Sequence, residues 1–169
     1  MILLDVDSVV ADLMPVWLRH YNALWNDTLT PEQITRWDLI HFVKPECGKQ
    51  IYKFLSMQWL YDEVEPVQGA IEGVDYLRRK GWKIVYVSAG LELAKAKFDW
   101  LLQRALLHSE AEYVAAFDKS LIRGDFLIDD RIDNVRDFTG SGILFTQPWN
   151  QWIKTTRRLD GWKDIDLWF

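Results

Sequence analysis

Met1-Ile2-Leu3-Leu4-Asp5-Val6-Asp7 begins with four apolar residues and ends in two aspartates two positions apart. An unbroken apolar run reads as a strand buried on both faces, as at the centre of a parallel sheet. Open α/β sheets bind ligands beyond the carboxyl ends of their strands, so both carboxylates fall where chemistry takes place. Two ionised carboxylates this close repel, and a cation, a proton or both must compensate. Short Asp-x-Asp triplets are also common in solvated turns, so the pair gains meaning only from the rest of the chain.

Other segments extend the pattern. Lys83-Ile84-Val85-Tyr86-Val87-Ser88 reads as a second buried strand, followed by Ala89-Gly90, and Tyr113 to Phe117 as a short strand. Phe126-Leu127-Ile128-Asp129 is a strand ending in acid, and Ile143-Leu144-Phe145 is the last strand predicted. Helical periodicity covers Leu13 to Trp25, then Ala70, Ile71, Val74 and Leu77 on one face before Arg78-Arg79-Lys80-Gly81, cations then glycine at a helix end. A third helix carries Leu91, Ala94, Phe98, Leu101, Leu102 and Ala105 on one stripe. Strands alternating with helices predict an α/β fold with a parallel sheet and right-handed crossovers. Residues 13–65 show helix signals only: a capping pattern at Thr30-Pro31-Glu32-Gln33 and a helix over Gly48 to Met57. They form a candidate inserted subdomain, with residues 1–12 and 66–169 as the core.

Composition narrows the function. The 169 residues suit one compact domain with a small insert. A net charge of −5 disfavours a protein that grips a long nucleic-acid backbone, which needs a clustered basic surface. The single cysteine, Cys47, excludes an internal disulfide and suits a reducing cytoplasm. No run reaches membrane-spanning length. Ten tryptophans stand out. Trp82 and Trp100 read as core, and Trp149, Trp152, Trp162 and Trp168 as pins for the C-terminal segment. Trp17, Trp25, Trp37 and Trp59 lie between the first two long strands, where packing competes with a second reading, a wall for a flat ligand.

Three strand ends carry the polar set: Asp5 and Asp7, then Ser88, then Asp129 and Asp130, with Lys119 just ahead of the acidic strand. A parallel sheet gathers them on one edge. Each has a bland reading alone, Asp129-Asp130-Arg131 as a helix cap, Ser88 as a strand end and Lys119 as solvated surface. Together they suit phosphoryl transfer. Hard oxygen ligands from Asp5 and the Asp129/Asp130 pair suit Mg²⁺. One carboxylate can act as nucleophile and a second, two residues on, as acid and base. Lys119 and Ser88 can hold the transferring group.

The ordered set Asp5-Val6-Asp7, Ser88, Lys119 and Asp129-Asp130 resembles the four motifs of the haloacid dehalogenase-like phosphohydrolases. Asp5-Val6-Asp7-Ser8-Val9-Val10-Ala11-Asp12, Leu127-Ile128-Asp129-Asp130-Arg131 and Glu65-Pro66-Val67-Gln68-Gly69-Ala70 are similar to the 5'(3')-deoxyribonucleotidase family. The likeness spans about residues 1 to 147. It implies a three-layer, Rossmann-like sheet with a small helical cap inserted after the first strand. Asp5 would be nucleophile and metal ligand. Asp7 would be the general acid/base, its carbonyl also on Mg²⁺. Ser88, Lys97 and Lys119 would bind phosphate, and at least one of Asp129 and Asp130 would bind metal directly. Arg131 would lie near the substrate, with Trp37, Phe54 and Trp59 near the base pocket. The implied substrate is a small phosphate ester, a deoxynucleoside monophosphate foremost, and a homodimer is compatible with the resemblance. Three positions depart from the family: Ser8 replaces a usual glycine, Leu13 a frequent phenylalanine and Ala89 a hydroxyl residue of some members.

Competing readings are the same chemistry on another small phosphate ester, a polynucleotide 3'-phosphatase, a phospho-acceptor signalling domain, and a binding protein without turnover. Net charge disfavours the second of these and the long insert the third. Retention of both Asp5 and Asp7 disfavours the last.

Overall fold

The computed structural model describes residues 1–90 and 92–169. Among these, a fully parallel six-stranded sheet runs in the order β3 (Tyr113–Ala115), β2 (Ile84–Ser88), β1 (Ile2–Leu4), β4 (Phe126–Asp129), β5 (Ser141–Phe145) and β6 (Arg158–Leu159). β1 is central because its three side chains are wholly buried, each worth on the order of 2 kcal/mol over an exposed position. Alternation along the strands feeds two cores. Ile2, Leu4, Tyr86 and Ile128 pack with Val74 and Leu77 of α2 (Ala70–Arg79) and Trp100 and Leu101 of α3 (Ala94–Gln103). Leu3, Val87 and Leu127 pack on the other face with Phe138, just past α4 (Ile132–Asp137). Helix, sheet and helix therefore make three layers, as expected of the α/β, Rossmann-like fold.

Register sets up the site. Leu4 is level with Tyr86 and with Ile128, so Asp5 and Asp129 leave the sheet side by side with Ser88 close by. Beyond Asp7 the chain turns tightly: Val10 and Ala11 both donate to the Val6 carbonyl. Ala11 then makes an antiparallel bridge with Pro66, and Asp12 N–H donates to Glu65 O at 2.8 Å. Both ends of the 13–65 segment are thereby held at one point. That segment carries α1 (Leu13–Trp25) and 3₁₀ turns, with no strand among its residues.

Several expectations need correction. The helix predicted over 48–57 is a 3₁₀ segment, Gly48–Ser56. Its buried residues, Ile51 and Phe54, are three apart, and a three-residue turn stacks such positions on one side. The 30–33 cap pattern starts only a three-residue 3₁₀ turn, Pro31–Gln33. On α3 the inward face is Lys97, Trp100 and Leu101, while Leu102 is exposed, Ala105 lies past the helix end and Leu91 falls outside the described residues. On α2, Ile71 is exposed too. β3 stops at Ala115, before the exposed Phe117, and β6 was not anticipated.

Two of the four C-terminal tryptophans are buried. Trp162 donates from Nε1 to Val9 O at 2.7 Å and lies against Gly73, where a Cβ would come within 2.3 Å of its ring. Trp149 is buried as well, whereas Trp152 is 72% exposed and its Nε1 donates only within its own segment, to Trp149 O at 3.0 Å. No helix among the described residues is long and apolar enough to cross a membrane.

Candidate active site

Ser8 follows the second aspartate with φ +62°, the left-handed region that glycine enters freely and other residues enter at a cost. The turn is kept by tertiary bonds: Ser8 N–H donates to Ala11 O at 2.7 Å, and Gln147 Nε2 donates to Ser8 O at 2.6 Å. Ser8 is thus a strained serine at a position whose backbone conformation glycine enters freely. Ser8→Gly is expected to stabilise the protein by about 1 kcal/mol, strain relief slightly exceeding the added chain entropy of glycine. Denaturant melts of the two proteins check this, and a destabilised glycine variant would show that Ser8 contributes contacts that outweigh its strain.

Around Asp5 the charges interlock. Lys119 Nζ lies 2.7 Å from Asp5 Oδ1 and 2.6 Å from Asp129 Oδ2, and all three groups are buried. Asp118 caps the turn at Lys119–Leu121 that aims this lysine inward. Burial works against the Lys119 charge, but Asp5 and Asp129 outweigh it and raise its pKa. Burial, then the Asp129 charge, push Asp5 up to about 7 against the pull of Lys119. Lys97 reaches in from α3 and donates to Asp7 Oδ2 at 2.6 Å, Ser88 Oγ at 2.7 Å and Ala89 O at 3.0 Å. The structure therefore brings Asp5, Asp7, Ser88, Lys97, Lys119, Asp129 and Asp130 to one sheet edge.

The two acids at the end of β4 differ in their surroundings. Asp129 is saturated: Lys119, the Arg131 N–H at 2.8 Å and Asn134 Nδ2 at 3.0 and 3.1 Å all donate to it. Asp130 receives only Trp149 Nε1, at 3.0 Å on Oδ2, and its buried Oδ1 has no partner among the described residues. Asp5, Asp129 and Asp130 offer oxygens all within 4.8 Å of one another. An unpartnered buried carboxylate oxygen in such a group costs free energy unless a cation or proton meets it. Burial, then Asp5 and Asp129, drive the Asp130 pKa well up. The all-oxygen donor set suits a hard divalent ion.

Next to Asp7 and Ser8 opens a cavity of about 460 Å³ with Leu13, Met14, Trp17, Trp37, Leu39, Leu55 and Trp149 among its walls. Trp37 meets Trp149 edge-on at 6.2 Å, and the Arg131 guanidinium lies 5.5 Å from the Trp37 ring centre. Trp37 and Arg131 are thus beside the site. Phe54 and Trp59 are not brought to this cavity. Phe54 is buried near His20, and Trp59 packs on His20 at 4.6 Å, facing a separate cleft with Gln103. The family resemblance suggested them, but 3₁₀ turns direct their side chains elsewhere.

A family profile described as 5' nucleotidase, deoxy (pyrimidine), cytosolic type C protein matches residues 1–168. The chain belongs to this 5'-nucleotidase family. The nucleotidase is 32% identical over 146 residues to a 5'(3')-deoxyribonucleotidase of Clostridium acetobutylicum, covering 84% of this chain and 79% of the relative. It is 26% identical to a 5'(3')-deoxyribonucleotidase of Bacillus subtilis over 168 residues, 98% and 95% of the two chains. Among solved structures, a HAD family hydrolase of Deinococcus radiodurans with bound phosphate and sodium superposes with a TM-score of 0.56. That match is 14% identical and covers 97% of this chain and 92% of the other. A HAD-superfamily hydrolase of Ehrlichia chaffeensis gives 0.54 at 13% identity, covering 99% and 94%. These two establish the fold.

Four residues around the candidate site were not anticipated: Tyr61, Asn134, Gln147 and Trp149. The Tyr61 phenol donates to Asp7 Oδ1, and burial, then the Asp7 charge, hold its pKa well above the ordinary value. Asn134 alone left a local signal, since it lies on the first turns of α4 directly after the acidic strand. The other three arrive from distant segments.

Proposed function

We propose that this nucleotidase is a Mg²⁺-dependent phosphatase that hydrolyses (deoxy)ribonucleoside monophosphates through an aspartyl-phosphate on Asp5. The observation that carries it is the pairing of a buried carboxylate cluster, one oxygen of it unpartnered, with an aromatic cavity beside Asp7. The activity named for the Clostridium and Bacillus relatives points the same way.

Asp5, Asp130 and the Asp7 carbonyl would hold Mg²⁺, which when bound neutralises phosphate charge in the site. Lys119 fixes the Asp5 carboxylate, whose oxygen attacks phosphorus as the ester P–O bond breaks. Ser88 and Lys97 hold the phosphoryl oxygens. Asp7 gives its proton to the departing sugar oxygen, then takes one from a water that attacks phosphorus and frees Asp5. Residues 13–65 act as a cap that excludes bulk water and chooses the substrate. Trp37, held edge-on against the buried Trp149, offers a face for a base. A cytoplasmic setting fits the unpaired, buried Cys47.

The test is phosphate release with Mg²⁺ from deoxy- and ribonucleoside 5'- and 3'-monophosphates, sugar phosphates and a 3'-phosphorylated oligonucleotide. Preference for a sugar phosphate or the oligonucleotide would refute the substrate assignment. Within this panel Trp37→Ala is expected to raise KM for nucleotides by about tenfold, the worth of one stacked base, and Trp59→Ala by less than about twofold. Equal effects would show that the base does not lie against Trp37.

A further inference from the structure

Asp7 is gripped from two sides. Oδ2 faces the Lys97 ammonium, which also holds Ser88 Oγ, so this oxygen looks into the phosphoryl site. Oδ1 accepts from Tyr61, which belongs to the insert and is 2% exposed. Tyr61 is itself fixed. Its ring stands edge-on to Trp100 at 6.1 Å, and three residues on, Val64 O accepts from Trp100 Nε1 at 2.8 Å and Arg104 at 2.7 Å. The return arm of the insert is therefore clamped to α3 while the phenol reaches the carboxylate.

We infer that Tyr61 is a positioning residue for the leaving-group proton: by occupying Oδ1 of Asp7 it makes Oδ2, on the phosphoryl side, the oxygen that carries the proton. This rests on the phosphatase reading of Asp7. When substrate enters, Lys97 turns to the phosphoryl oxygens, and Oδ2, freed of the ammonium, takes a proton from solvent water. The proton then passes from Oδ2 to the ester oxygen as that oxygen leaves phosphorus and Asp5 bonds to it. Tyr61 keeps its own proton throughout. Without the phenol, the Asp7 carboxyl can rotate and present either oxygen, and the acid is misplaced in part of the population.

Tyr61→Phe keeps the ring against Trp100 and removes only the hydroxyl. The experiment measures kcat/KM, which reports the steps up to leaving-group departure, for aryl phosphates of rising leaving-group pKa and for a deoxynucleoside monophosphate. The loss is expected to grow along the series, reaching about ten- to a hundredfold on the nucleotide, the scale of a misplaced catalytic group. A loss by the same factor on every substrate marks a structural role and overturns the inference. A double-mutant cycle with Asp7→Asn gives a second readout. If Tyr61 acts through Asp7, its replacement costs little further in that background, whereas fully additive losses overturn the inference. Wild-type protein that releases phosphate from none of these esters defeats the phosphatase reading itself, a result distinct from either of the others.

Discussion

Replacing Asp5 by asparagine is expected to reduce phosphate release by about ten-thousandfold or more, the scale of losing a covalent nucleophile, without unfolding the protein. The amide has the shape of the carboxylate but cannot bond to phosphorus as a leaving-competent anion. Stability should not suffer, because the native carboxylate is held at a cost. Burial and the Asp129 charge raise its pKa to about 7. Asparagine removes that charge, and Lys119 keeps its 2.6 Å contact with Asp129. Initial rates with a nucleoside monophosphate and a thermal melt check both parts. An Asp5→Asn variant within tenfold of wild type would end the assignment of Asp5 as nucleophile.

Much of the candidate site was legible because it depends on local chemistry at strand ends. The apolar run before Asp5, the run before Ser88 and the run before Asp129 each name a buried parallel strand, and topology does the rest. Lys97 was legible only through the resemblance, since as a cation on an apolar helix its buried contact with Asp7 cannot be read from periodicity. β6 escaped because a two-residue strand, Arg158–Leu159, has no period to detect. Residues 13–65 were least legible. Their 3₁₀ turns do not follow the 3.6-residue spacing by which helix faces are inferred, so Phe54 and Trp59 gave no sign of pointing at His20. Contacts such as Tyr61 to Asp7 and Trp149 to Asp130 join residues 54 and 19 positions apart, and nothing local encodes them.

Asp130→Asn is expected to separate catalysis from stability. Turnover should fall by at least about a hundredfold, since losing a ligand costs no less than losing the groups that merely orient one. The metal-free variant should melt higher than wild type, because burial together with Asp5 and Asp129 makes the native carboxylate unfavourable. The pH dependence follows from the same cluster. Asp5 has a folded-state pKa near 7 against 3.8 for the free side chain, so the folded state binds its proton more tightly than the unfolded chain. Its contribution to stability is full below 3.8 and is lost as pH rises through 7. Metal-free wild type should therefore lose about 1 kcal/mol between pH 6 and 8 from this group. On the proposed reading Mg²⁺ would bind the ionised cluster, so the rise in melting temperature it causes should be larger at pH 8 than at pH 6. In Asp130→Asn that rise should largely vanish at both pH values. A variant that keeps the full Mg²⁺ shift would move the metal to Asp129, whose oxygens are already taken by Lys119, Arg131 and Asn134. Binding there would have to displace those donors, and the unpartnered Oδ1 of Asp130 would be left without an explanation.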